Sequence, residues 1–118
     1  MVQKHSQSGR GRLADVDPDH ARRRIAAGAV VIDVRELVEW TAGHIPGSTH
    51  IPLGDLTKAD VPNGQLVLVC RSGNRSAVAA QYLAHQGREV ANLLGGLLSW
   101  AAAGGPLTSD TGRPPTVL

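Results

Sequence analysis

Gln65-Leu66-Val67-Leu68-Val69-Cys70-Arg71-Ser72-Gly73-Asn74-Arg75-Ser76 is the stretch whose reading decides the fold. Its first five residues form an unbroken apolar run, the pattern of a strand buried on both faces. A short polar loop follows. A helix is then predicted from Ser76 to Gln86, with Val78/Tyr82 and Ala79/Leu83 at i,i+4 and Gly87 as its stop. The same alternation extends outward in both directions. Upstream, Asp17 is an N-cap and Pro18 the first helical position of a helix over 19–27, which places Ala21 and Ile25 on one face and ends at Gly28. A β-branched strand over 29–34 comes next, then a short helix over 36–41 and a Gly43–Gly47 turn. A short strand over 49–51 and a helical turn over 53–58 complete that half. Downstream lie a strand over 89–93 and a last helix, opened by Gly95-Gly96 and running through Ala103 with Trp100 on it. Strands separated by helices need crossover connections, so the expected fold is α/β, a parallel sheet with helices on both faces.

Composition bounds the function. The 118 residues are 42% hydrophobic and 19% charged, which fits one soluble domain. There is no Phe, so Val, Ile, Leu and Ala must fill the core with Trp40, Trp100 and Tyr82. A net charge of +2 with scattered Lys and Arg does not mark a nucleic-acid surface, and Arg22-Arg23-Arg24 reads as a solvated helix face. The apolar runs are too short to span a bilayer, and residues 1–12 lack the apolar centre of a signal peptide. A single cysteine rules out an internal disulfide and fits a reducing compartment, so a cytoplasmic protein is expected. Residues 1–12 and 108–118 read as loose tails around one domain over 13–107.

Cys70 stands where a central strand ends, the side of a parallel sheet on which ligands bind. The next helix turns its open N–H groups and positive dipole end toward it. Gly73 and Asn74 allow the loop to curl its amides inward, Gly73 by lacking a side chain and Asn74 by tolerating left-handed angles. Arg71 and Arg75 add cations. Such surroundings lower a thiol pKa below its ordinary ~8.5, and inward amides, including those of Ser72, would hold a substrate oxyanion or a terminal sulfur. With no second cysteine to resolve an adduct, group transfer through one covalent intermediate is favoured over dithiol exchange. Asp33 and Arg35 end a neighbouring strand and read as supporting residues, with Glu39 the expected partner of Arg35. His5, His20, His44, His50 and His85 match no zinc spacing, so no metal is expected, and His44 is expected to bond backbone. The glycines form no nucleotide-binding motif.

On these residues the chain resembles the rhodanese homology domain over about residues 13–107. Asp33-Val34-Arg35 resembles its Asp-x-Arg signature. Residues 39–48, Glu-Trp-Thr-Ala-Gly-His-Ile-Pro-Gly-Ser, resemble its Glu-aromatic-x-x-Gly-His-Ile-Pro-Gly stretch, followed by Ile51-Pro52. Cys70 to Ser76 resembles the active-site loop, and Gly95-Gly96 with Trp100 the closing Gly-Gly-x-x-x-Trp. The resemblance implies a parallel sheet of about five strands and a sulfurtransferase. In that reaction Cys70 takes a sulfane sulfur from a small anionic donor such as thiosulfate. It then passes the sulfur to a thiophilic acceptor such as cyanide or a thiol, with no cofactor; the alternative is a sulfur-relay module that docks on a protein acceptor. The resemblance also touches phosphatases and arsenate reductases of the same fold. The phosphatase loop has one more residue than the four that separate Cys70 from Arg75.

Overall fold

The structure, a computed structural model, describes residues 11–118, so His5 and most of the expected amino-terminal tail lie outside the described residues. Five strands form one parallel sheet: β1 (Leu13–Val16), β2 (Val30–Asp33), β3 (Thr49–His50), β4 (Leu66–Val69) and β5 (Val90–Leu93), in the spatial order β1-β5-β4-β2-β3. Four helices, α1 (Pro18–Ala26), α2 (Leu37–Ala42), α3 (Asn74–His85) and α4 (Gly96–Ala102), and a 3-10 turn at Leu53–Asp55 complete the α/β fold.

The elements follow from local chemistry. The Asp17 carboxylate caps α1 by accepting the His20 N–H at 2.8 Å, with Pro18 in the first turn. All four residues of β4 are buried, and the period of two splits them between two cores. Leu66, Leu68 and Cys70 join Ile32, Val34 and Leu83 beside α3. Val67 and Val69 join Ala21, Leu97 and Trp100 beneath α1 and α4. Both faces are therefore covered, as a parallel sheet requires.

Three features differ from expectation. β1 has no signature in the sequence because it is an edge strand on which only Val16 is buried. α3 begins at Asn74 rather than Ser76: Gly73, at φ 100°, makes the left-handed step by itself, which leaves Asn74 helical. Residues 108–118, expected as a loose tail, lie against α2 and the turn after it. His44 and Thr108 exchange two 2.8 Å backbone bonds, and the N–H groups of Asp110 and Thr116 donate to Thr41 and Ala42 at 2.9 Å. Backbone bonding of this kind leaves no hydrophobic pattern to read.

The chain leaves β2 toward β3 but leaves β4 in the opposite direction, toward β5. The crevice beyond the carboxyl ends of β2 and β4 is thus the topological switch point. Asp33, Arg35 and Cys70 all stand there.

Candidate active site

Cys70 follows directly on β4, and its side chain is almost wholly enclosed, the residue being 1% exposed. Its sulfur is nevertheless not in purely apolar surroundings. The Gly73 N–H donates to Sγ at 3.1 Å, the Ser76 N–H at 3.4 Å and the Ser76 hydroxyl at 3.3 Å. Gly73 is the cap residue of α3 and has no side chain with which to cap it. The sulfur does that work from three residues upstream, taking N–H groups that a helix end would otherwise leave open. Burial of the thiol resists ionisation, but the hydrogen bonds from Ser76, Gly73 and Ser72 outweigh it and lower the pKa below its ordinary value. These donors favour the thiolate form of the sulfur over the thiol.

The loop is fixed from a second side. Two N–H groups in the first turn of α4, those of Leu97 and Leu98, donate to the carbonyls of Cys70 at 2.8 Å and Arg71 at 3.1 Å. This contact explains the second of the paired glycines, Gly96. A Cβ on Gly96, itself at φ 60°, would stand 2.5 Å from both carbonyl oxygens. Between these anchors, the N–H groups of Arg71, Asn74 and Arg75 have no acceptor among the described residues. Ser72, Gly73 and Asn74 line a pocket of about 260 Å³ with Asp15, Asn92 and Leu94.

Two residues of this arrangement were not singled out from sequence. Ser76 closes the loop resemblance and opens the expected helix with no role assigned to it, although its place in the first turn behind the loop puts both its N–H and its hydroxyl on the sulfur. Asn92 is the single polar side chain in the buried run Val90–Leu93, and that oddity was its signal. Its Oδ1 accepts the Ser76 hydroxyl at 2.6 Å and its Nδ2 donates to the Gly73 carbonyl at 3.3 Å.

The cations are distributed differently from expectation. Glu39 pairs with Arg75, not Arg35, through two bonds of 2.8 and 2.9 Å. Arg35 has other duties. Fully buried with Asp33, it sends Nε to Asp33 Oδ1 at 2.9 Å and Nη2 to Oδ2 at 2.8 Å, and Nη2 also reaches the Gly43 carbonyl at 2.6 Å. Arg71 is exposed, and its Nε donates to the Leu118 carbonyl at 2.7 Å. His44 bonds backbone as expected, Nδ1 lying 2.7 Å from the Trp40 carbonyl, and its ring stacks on Trp40 at 3.6 Å.

Arg75 pulls the Glu39 pKa down to about 2. The pair therefore stabilises the fold above the ordinary carboxylate range near 4.5, and that contribution fades as pH falls toward 2. Glu39→Gln is expected to remove this acid-side loss and to cost about 1 kcal/mol or less at neutral pH, because the Arg75 side chain is 36% exposed. It also unmasks Arg75 beside the sulfur. Iodoacetate should then gain about threefold over iodoacetamide in its reaction with Cys70 at low salt, and the gain should vanish at high salt.

Residues 17–103 match the family model of the rhodanese-like domain, most of the chain. The chain belongs to the rhodanese-like family. Among curated rhodanese relatives, it is 40% identical over 92 residues to the thiosulfate sulfurtransferase GlpE of Ectopseudomonas mendocina, covering 74% of this chain and 84% of that one. It is 30% identical over 103 residues to the putative sulfur carrier protein YrkF of Bacillus subtilis, covering 82% of this chain but only 56% of that protein. Among solved structures, a rhodanese-related protein from Thermoplasma volcanium superposes with a TM-score of 0.74 at 31% identity, covering 80% of this chain and 97% of that one. These relatives support a role in sulfur transfer. No helix among the described residues is long and apolar enough to cross a membrane.

Proposed function

We propose that this rhodanese is a sulfurtransferase that carries one sulfur atom on Cys70 as a persulfide, taking it from an anionic donor such as thiosulfate. The Cys70 thiolate attacks the outer sulfur of thiosulfate, the donor S–S bond breaks, and sulfite leaves with the bonding pair. A thiophilic acceptor, cyanide or a thiolate, then attacks the terminal sulfur, and Cys70 departs as the thiolate that began the cycle. Both steps need a sulfur that is anionic as nucleophile and stable as leaving group. The observation that carries this reading is the enclosure of Sγ by three donors from Gly73 and Ser76 at 3.1–3.4 Å. The open amides of Arg71, Asn74 and Arg75 supply further donors for a terminal sulfur or a donor oxyanion. Asp33 and Arg35 act at one remove, by holding the Gly43–His44 turn beside the loop. A reducing compartment such as the cytoplasm suits a site that depends on one free thiol.

The test is direct. Incubation of the reduced protein with thiosulfate should add the mass of one sulfur atom at Cys70, and cyanide should then remove it as thiocyanate. Neither should occur in Cys70→Ser. Absence of both products from the intact protein overturns the proposal.

A further inference from the structure

Seven large apolar side chains are exposed among the described residues, and they are not scattered. Leu13, at 42%, lies at the amino end of β1, and the other six connect to the Cys70 loop. Leu37 and Val38, 65% and 69% exposed, adjoin Glu39, which holds Arg75. Val78, 58% exposed, lies one turn beyond Arg75 on α3. Leu94, 48% exposed, lines the pocket shared by Ser72 and Asn74. Leu98, 41% exposed, donates its N–H to the Arg71 carbonyl, and Leu118, 49% exposed, accepts from the Arg71 side chain.

Single exposed apolar residues are ordinary, but a collar of them around one site marks an interaction surface. Thiosulfate and cyanide are small and charged, so neither is served by such a collar. Resting on the sulfurtransferase reading, we infer that the sulfur acceptor is a protein that presents a cysteine on an apolar surface bearing acidic side chains. The acids follow from charge complementarity. Arg71 is exposed beside Leu98 and Leu118, and neither of its Nη groups has a partner among the described residues. The apolar patch follows from the collar, because contact there buries leucine and valine on both sides. The transfer itself balances: the partner thiolate attacks the terminal sulfur, the Cys70 S–S bond breaks, and the partner leaves as the persulfide.

The inference can be tested without loading sulfur. Two short synthetic peptides carry one cysteine activated as a mixed disulfide with thionitrobenzoate. In one the cysteine is flanked by leucine and glutamate, and in its twin serine replaces each leucine. Cys70 attacks the peptide sulfur, a Cys70–peptide disulfide forms, and the coloured thionitrobenzoate leaves. The leucine peptide is expected to react about tenfold faster than its twin. In Leu37→Gln/Val38→Gln/Val78→Gln the two rates should converge, while the rate with the small symmetrical reagent, dithiobis(nitrobenzoate), stays unchanged. Equal rates in the unmodified protein overturn the inference, as does a preference that survives the substitutions. A dimer in sedimentation that the same substitutions dissociate also overturns it, since the collar would then be covered by a second copy. None of these results depends on persulfide formation, so failure here and failure of the thiosulfate test are separate.

Discussion

Arg35→Ala is expected to destabilise the domain by about 3–5 kcal/mol, the usual consequence of leaving one member of a buried ion pair alone. Asp33 is 0% exposed and meets Arg35 through both carboxylate oxygens, so truncation strands a charge where water cannot reach it. The Gly43 carbonyl loses its 2.6 Å donor in the same stroke, and the turn that carries His44 is released. Domains of this size are stable by about 5–15 kcal/mol, so the loss is a large fraction of the whole. Urea titration monitored by tryptophan fluorescence measures it. Replacing both partners, as in Asp33→Leu/Arg35→Met, should recover much of the loss, because an apolar pair strands no charge. If Arg35→Ala unfolds at the same urea concentration as the parent protein, the pair is not the strut described here.

Ser76→Ala is expected to be the most damaging substitution that spares the sulfur itself. The hydroxyl has one proton and two acceptors within reach, Asn92 at 2.6 Å and Cys70 Sγ at 3.3 Å. A thiolate is the charged acceptor and draws that proton toward itself. Removing a preorganised donor of this kind lowers a rate by about 10²-fold. The pH dependence identifies the cause. The Ser76 hydroxyl helps to hold the Cys70 pKa down, so its loss raises that pKa. The rate of Cys70 alkylation, which climbs with pH as thiolate forms, should then have its midpoint at higher pH, with the high-pH plateau nearly retained. An unmoved midpoint would refute the assignment.

Much of this was legible because it is local. The run 65–69 ends at Cys70, Asp17-Pro18 starts α1, and Gly73 turns the loop; each depends on neighbours in the chain. The rest depends on partners remote in sequence. β1 exists only because β5 lends it an edge to pair with. Glu39 stood within plausible reach of either arginine, and the choice fell to Arg75 because Asp33 and the Gly43 carbonyl had already engaged Arg35. Ser76 and Asn92 were visible as residue types, but their meeting requires α3 to lie across β5. The segment 108–118 looks loose by composition, yet the missing Cβ of Gly43 gives the Thr116 backbone its place.

The grip of two separate helices on one short loop has a consequence for how the fold can change its chemistry. α3 clasps the ring from inside through the sulfur, and α4 clasps it from outside through the Cys70 and Arg71 carbonyls. The circumference of the ring is therefore set by the spacing of two helices as well as by the number of residues in between. Inserting a residue would push the outer carbonyls into Gly96, where there is no space even for a methyl group. Widening this ring to enclose a whole phosphate in place of one sulfur atom demands that α4 be re-seated in the same step.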